Sequence, residues 1–118
     1  AERRMAEALE LRRAALGPRH PAVAQSLVAL AGLHHRQGRL AQAIAEARES
    51  HRILLDALPE DDFRQSSPQL QLGKLLTAAG RCDEALPLLE RAAALRRQYL
   101  PDGHPSRRSA EAALAACA

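Results

Sequence analysis

The chain has 118 residues, enough for one domain, and 47% of them are apolar. Only 2% are aromatic, so a core must be built from Leu, Ala, Ile and Val, which together with Arg and Glu favours an all-α fold. The net charge of +3 is mildly basic, and interspersed acidic residues break up any continuous basic stripe. No apolar run approaches the ~18 residues of a membrane-spanning helix, so we expect no membrane partner.

The two cysteines, Cys82 and Cys117, are too few for a disulfide framework. No signal-peptide pattern opens the chain, and we therefore expect a reducing, cytoplasmic environment. We interpret Cys82 as a packing residue and Cys117 as a small hydrophobic residue. The chain begins without Met, within a helical pattern, and reads as a fragment of a longer protein.

Helical periodicity predicts six helices, over residues 1–16, 22–37, 40–57, 67–79, 83–100 and 105–117. Pro21 and Pro105 suit first helical positions, where a missing N–H costs nothing. His20 and His104 precede them and are expected to cap those helices or to orient the loop. The fourth helix should start at Pro68, capped by Ser66 or Ser67, after an acidic turn over 61–65.

The sequence repeats with a period of 42 residues. "LGPRHP" at 16–21 returns as "LPDGHP" at 100–105, and the middle copy, "LPEDDF", has Phe63 in place of the proline. A repeat of this length predicts a solenoid of helical hairpins. The predicted organisation is one repeat domain over 1–118, with a half-repeat 1–21, repeats 22–63 and 64–105, and a half-repeat 106–118.

The repeat units resemble tetratricopeptide repeats (TPRs), whose first helix carries a Leu-Gly-type step and whose second helix carries Ala-x-x-x-Phe-x-x-Ala. The first helices read Leu27-x-x-Leu30-Ala31-x-x-His34 and Gln69-x-x-Leu72-Gly73-x-x-Leu76, the second helices begin Ala43-x-x-x-Ala47 and Ala85-x-x-x-Leu89, and the chain itself opens Ala1-x-x-x-Met5. The period and the stretch "EALPLLERAAALRR" resemble the kinesin light chain-like variant, including arrays appended to bacterial signalling proteins. The resemblance implies a right-handed α-solenoid in which Ala31 and Gly73 allow close approach to Ala43 and Ala85.

The resemblance further implies that the first helices line a concave groove that binds a peptide or a partner domain. The candidate groove residues, with Arg36 and Lys74 as its cations, are Gln25, Val28, Gly32, His35, Arg36, Ser67, Leu70, Lys74, Thr77 and Ser109. The expected function is a protein–protein interaction scaffold or regulatory module without chemistry of its own. Two alternatives remain open: the non-catalytic region of a bacterial serine/threonine protein kinase or other signalling enzyme, and a structural spacer.

Other chemistry finds little support in the sequence. The histidines lack metal-ligand spacing, and His34 is expected to be half-buried in an aromatic packing slot, so we predict no metal and no cofactor. No catalytic constellation or Gly-rich phosphate loop occurs, and no aromatic residues interleave the Arg pairs for nucleic-acid binding. We do expect self-association through apolar stripes exposed at the two ends of the array, which include Met5, Leu9, Leu114 and Cys117.

Overall fold

The computed structural model describes residues 2–118, and within this range the regular structure is helical throughout. The elements are α1 (Glu2–Leu16), α2 (Pro21–Arg36), α3 (Leu40–Ala57), a 3₁₀ helix (Phe63–Gln65), α4 (Ser66–Ala78), α5 (Cys82–Tyr99) and α6 (Pro105–Cys117). The prediction of an all-α fold with six α-helices is confirmed. The repeat slot assigned to Ala1 lies outside the described residues.

The chain forms two compact units, one ending at Pro59 and the other beginning at Glu60. In unit 1, α2 and α3 form a helical hairpin, and α1 packs against α2. In unit 2, α4 and α5 form the equivalent hairpin, and α6 packs mainly against α5 with a smaller contact to α4. The repeat boundaries at 22–63 and 64–105 stay a sequence-based prediction.

Each hairpin turns at a glycine with a left-handed backbone, Gly38 in unit 1 and Gly80 in unit 2, with φ of +78° and +76°. The N–H of Gly38 donates to the carbonyl of His35, and the N–H of Arg39 donates to that of His34, at 3.0 and 2.8 Å. Unit 2 repeats both bonds one period later. This is a Schellman termination, which satisfies the last helical carbonyls and favours glycine because other residues strain at positive φ.

The two "HP" loops start helices in the same way. The Nδ1 atom of His20 accepts the N–H of Ala22 at 3.0 Å, and the Nδ1 of His104 accepts that of Ser106 at 3.1 Å. Pro21 and Pro105 occupy the first helical positions behind them. The predicted capping role of the two histidines is confirmed, and it gives a physical reason for the His-Pro pair to occur in both loops.

The start of α4 differs from the prediction. The side chain of Asp62 caps the 3₁₀ helix by accepting the N–H of Arg64 at 2.9 Å, and α4 follows without a side-chain cap from either serine. Ser66 is instead buried and accepts a hydrogen bond from Nε of Arg96 at 3.2 Å. Pro68 is tolerated because it lies in the first turn of α4, where the backbone N–H groups need no intrahelical partner.

In unit 1, one apolar cluster joins α1 to the hairpin. Leu9 is only 6% exposed and lies in this cluster with Val23, Leu27, Leu30 and Ile53, while Met5 packs at its edge. The expectation that Leu9 lies in an exposed stripe was therefore wrong, because α1 packs against α2 and Leu9 lies within this cluster. The exposed large apolar residues of α1 are Leu11, at 71%, and Leu16, at 50%.

Unit 2 depends on a close helix crossing at Gly73. A Cβ built on Gly73 would lie 2.5 Å from Cδ2 of Leu89 and 3.7 Å from the carbonyl oxygen of Ala85. Leu89 and Ala85 are fully buried on the facing helix. The small residue predicted at this slot is thus required by contact, because any side chain on α4 here would displace Leu89.

Candidate functional site on the α4–α6 face

Three candidate groove residues converge on one cavity in unit 2. Lys74 and Thr77 from α4 and Ser109 from α6 line a space of about 310 Å³. Three alanines of α6 complete it, and we call the set the α4–α6 face: Lys74, Thr77, Ser109, Ala112, Ala113 and Ala116. The face combines one cation, two hydroxyl groups and a short apolar wall.

The cation of this face is oriented by its neighbour. Nζ of Lys74 lies 3.4 Å from Oγ of Ser109, and Lys74 is otherwise exposed to solvent. An ammonium group has three donors, so this single long bond leaves donors available for an acidic ligand. Lys74 can therefore act as a point charge over an apolar wall.

Helix α6, which supplies most of the face, makes polar contacts with two arginines of α5. Ala110 is its only buried residue within the described chain. Nη1 of Arg96 donates to the carbonyl of Ser106 at 2.7 Å, and Nε of Arg97 bonds to Oε2 of Glu111 at 3.0 Å. Arg96 is 8% exposed, and its burial lowers the pKa of the guanidinium from its ordinary value. The shape of the α4–α6 face thus depends on arginines of α5.

The remaining two candidates of unit 2, Ser67 and Leu70, differ in burial from each other and from Thr77. Ser67 is exposed in the first turn of α4. Leu70 is 6% exposed and contributes to the core, so it offers little surface to a ligand. Thr77 is half-buried and donates its hydroxyl proton to the carbonyl of Gly73 at 2.8 Å.

The candidates of unit 1 lie along α2. Gln25, His35 and Arg36 are exposed, while Val28 and Gly32 are half-buried. The structure therefore groups the candidates as α2 residues in unit 1 and α4–α6 residues in unit 2. Their role in binding stays a proposal.

Cys82 and Cys117 form a disulfide, contrary to the interpretation of both as packing residues. Cys82 is the first residue of α5 and Cys117 the last of α6, and their Cα atoms lie 5.4 Å apart, within bonding distance. The two residues are 35 positions apart in sequence, and only the return of α6 along α5 brings them together. No spacing rule for a single cysteine pair could have predicted this.

His34 occupies an ionic cluster that sequence reasoning missed. It is 2% exposed rather than half-buried, and its two ring nitrogens lie 2.7 Å from carboxylate oxygens of Glu46 and Glu2. Because ionised carboxylates only accept, this arrangement favours the doubly protonated ring, in which both nitrogens donate. The hydrogen bond to Glu46 contributes most to raising the pKa of His34; burial opposes it, and the bond to Glu2 adds to it.

No group of three or more His, Cys, Asp or Glu side chains is arranged to hold a metal ion within residues 2–118. In the same range, every helix is too short or too polar to cross a bilayer.

The tetratricopeptide repeat family matches residues 1–56 and, in a second match, residues 69–106. Together these matches span both helical hairpins and agree with the observed turns and the Gly73 crossing. The chain belongs to the tetratricopeptide repeat family.

Two solved structures share the TPR fold of this chain. One is a kinesin light chain-type protein of Podosopora anserina with nearly identical TPR-like repeats, and the other is a single-substitution variant of it. The variant has a TM-score of 0.89 and the first protein 0.72, each at 24% identity over 96% of this chain. This chain spans about half of each neighbour, 53% and 54%. No curated protein sequence matches the chain significantly.

The family assignment shows how this TPR chain uses its variable slots. His34 stands where many repeats have an aromatic packing residue, and here the slot holds a buried imidazole ring between two carboxylates. Gln69 lies in the large-residue slot of α4, the first helix of the hairpin in unit 2, and is also buried, at 2% exposure. Polar groups therefore replace aromatic packing in a chain that has almost no aromatic residues.

Proposed function

We propose that this TPR domain is a scaffold or regulatory module that binds a partner protein or peptide through its first-helix faces, with the α4–α6 face as the binding surface of unit 2. Tetratricopeptide repeats are, as a family, protein–protein interaction modules. The observation that carries the proposal is the convergence of Lys74, Thr77 and Ser109 on one cavity of about 310 Å³.

The chemistry of the face favours an extended peptide that carries an acidic group. Lys74 supplies a charge for a carboxylate, and the hydroxyl of Ser109 supplies a further polar contact. Ala112, Ala113 and Ala116 leave room for a small apolar side chain because they project only methyl groups. Arg36 supplies a second cation among the candidates of unit 1.

A random peptide display library, selected on the whole domain, tests the proposal. We expect enriched peptides to contain Asp or Glu beside small aliphatic residues, and a synthetic peptide of that sequence to bind saturably in fluorescence anisotropy. Lys74→Glu should weaken this binding by roughly tenfold or more because it replaces attraction by repulsion. Binding should also fall at high salt.

Arg91→Glu is the matched control. Arg91 is exposed on α5 outside the α4–α6 face, and its reversal changes the net charge of unit 2 by the same amount. Equal loss of binding in both variants would mean that overall charge, rather than this face, attracts the peptide. Unchanged binding in Lys74→Glu would contradict the proposal.

Two alternative roles make different predictions. If the repeats are the non-catalytic region of a bacterial serine/threonine protein kinase or other signalling enzyme, the full-length chain should contain a Gly-rich loop and a His-Arg-Asp segment. If they are a spacer, no saturable peptide should emerge from the selection. We propose no nucleic-acid partner, since acidic residues such as Glu7, Glu10 and Glu111 interrupt the Arg pairs. We also propose a cytoplasmic location, although the Cys82–Cys117 disulfide removes the argument from unpaired cysteines.

Self-association is a second proposal, carried by α1. Leu11 is 71% exposed and lies with Ala6 on a surface bordered by Arg3, Glu7 and Glu10. An apolar surface bordered by charges of both signs can pair with a second copy of itself. Sedimentation velocity should show a concentration-dependent dimer that Leu11→Lys abolishes, and a monomer at every concentration would contradict this.

A further inference from the structure

The disulfide joins the least buried helix of unit 2 to the hairpin. Ala110 is the one buried residue of α6, and arginines of α5 make polar contacts with this helix. Cys117 ends α6, so the covalent bond fixes the half of the helix that carries Ala112, Ala113 and Ala116. The bond therefore acts on the part of α6 that forms the wall of the α4–α6 face.

Both sulfur atoms belong to residues that retain some solvent exposure. Cys82 and Cys117 are each intermediate in burial, at the ends of their helices. A reducing thiolate must reach a sulfur atom to attack it, and terminal, partly exposed positions permit that approach. A structural disulfide inside a core would offer no such access.

After reduction, the hydroxyl oxygen of Thr77 can accept a hydrogen bond from the thiol of Cys117. Oγ1 of Thr77 lies 3.0 Å from Sγ of Cys117, while its single proton is already donated to the carbonyl of Gly73. In the disulfide form neither atom of the Oγ1–Sγ contact has a proton for it. The reduced Cys117 carries an S–H that can donate to Oγ1 of Thr77, so reduction completes a hydrogen-bonded chain from Cys117 through Thr77 to Gly73.

From these contacts we propose that Cys82–Cys117 is a redox-responsive disulfide. Its reduction by a dithiol releases the C-terminal half of α6 and so loosens the wall of the α4–α6 face. A thiolate of the dithiol attacks one sulfur of the disulfide, the S–S bond breaks, and the other cysteine leaves as a thiolate. The second thiol of the reagent, as its thiolate, then attacks the reagent sulfur of the mixed disulfide, and the cysteine held there leaves as a thiolate. The dithiol leaves as its own disulfide, and its two protons end on Cys82 and Cys117.

The consequence for binding rests on the proposed function, but the release of α6 does not. If the α4–α6 face binds a peptide, the oxidised domain should bind it more tightly than the reduced domain, since a fixed wall is preorganised. Release itself can be measured without any partner. Failure of peptide binding and failure of the redox proposal are therefore distinguishable.

Hydrogen–deuterium exchange with dithiothreitol as the probe tests the release. Before reduction, iodoacetamide should label no cysteine even in denaturant. After reduction, confirmed by labelling of both cysteines, the amides of α6 should exchange roughly tenfold faster or more, while those of α4 and α5 change little. Unit 1 contains no cysteine, so α2 and α3 serve as an internal control.

A double variant, Cys82→Ala with Cys117→Ala, should show the fast α6 exchange without reductant and no response to dithiothreitol. Thr77→Val should shift the thiol–disulfide equilibrium towards the disulfide by several-fold, and Thr77→Ser should restore it. Free thiols in the untreated protein would overturn the proposal. So would unchanged α6 exchange after confirmed reduction, or equal acceleration across α4, α5 and α6, which would mean that the bond holds the whole unit rather than one helix.

Discussion

Arg96 of α5 donates from Nη1 to the carbonyl oxygen of Ser106 in the first turn of α6, at 2.7 Å. Two periods earlier, Arg12 of α1 makes the equivalent bond to the carbonyl of Ala22 in α2, at 2.8 Å. The intervening copy has Leu54, buried at 8% exposure, at the same slot. The arginine and the "HP" loop therefore occur together: where the loop is intact the chain places a guanidinium beneath it, and where the loop has drifted it places a leucine.

The first prediction concerns this arginine. Arg96→Ala should lower the free energy of unfolding by about 1–3 kcal/mol, because the Ser106 carbonyl and the Ser66 hydroxyl lose their donor. Arg96→Leu should cost less, since leucine fills the equivalent slot at Leu54. Urea unfolding followed by circular dichroism measures both. Arg91→Ala, exposed on the same helix, is the control, and a loss as large there would show that the effect is not specific to the loop contact.

The second prediction is a pH dependence of unit 1. The pKa of His34 is raised, so its contribution to stability is fully present below about pH 6.5 and is lost as pH rises through the raised pKa. The pKa of Glu2 is lowered, first by its hydrogen bond with His34, so the contribution of Glu2 is lost as pH falls through that lowered pKa. Stability from the cluster should therefore decline on both sides of the mildly acidic range.

Thermal unfolding from about pH 4 to about pH 9 measures this dependence. The variant His34→Leu should remove the alkaline decline because no imidazolium remains to lose its proton. Exposed His35 gives the control variant His35→Leu, which should keep the wild-type profile. A profile of His34→Leu that matches the wild type would show that the Glu46–His34–Glu2 cluster does not control the stability of unit 1.

The third prediction concerns the crossing at Gly73. Gly73→Ala should destabilise the domain by about 1–2 kcal/mol, because contact with Leu89 outweighs the gain in helix propensity. Gly73→Val should cost more. The variant Ala94→Gly, at an exposed position of α5, reports helix propensity alone and should cost about 1 kcal/mol. A Gly73→Ala protein more stable than the wild type would mean that Leu89 moves aside freely.

The fourth prediction concerns the histidine caps. His104→Ala should lower the free energy of unfolding by about 0.5–2 kcal/mol, because the N–H of Ser106 loses its acceptor. His104→Asn should retain most of the stability, since asparagine also caps helices. The measurement is denaturant unfolding at neutral pH. Equal losses in the two variants would assign the role of His104 to loop contacts other than the cap.

The repeat period and the local chemistry of helix ends could be predicted from sequence because they depend on residues close together along the chain. His20 with Pro21 starts a helix and Gly38 ends one through bonds that span only a few residues. The small residue at Gly73 could also be predicted, since the repeat pattern carries the crossing within each hairpin. The start of α4 was mispredicted because both serines are good caps by type, whereas Ser66 is buried against Arg96 and Asp62 caps the preceding 3₁₀ helix.

Sequence by itself determined the repeating hairpins, the turns and the family, because a 42-residue pattern constrains each unit through local bonds and nearest neighbours. Tertiary structure alone decided which side chains meet across helices. It placed Cys82 beside Cys117, enclosed His34 between Glu2 and Glu46, and buried Leu9 while leaving Leu11 exposed. These pairings join residues on different helices, and their distances depend on how the helices pack, which no single-helix pattern encodes.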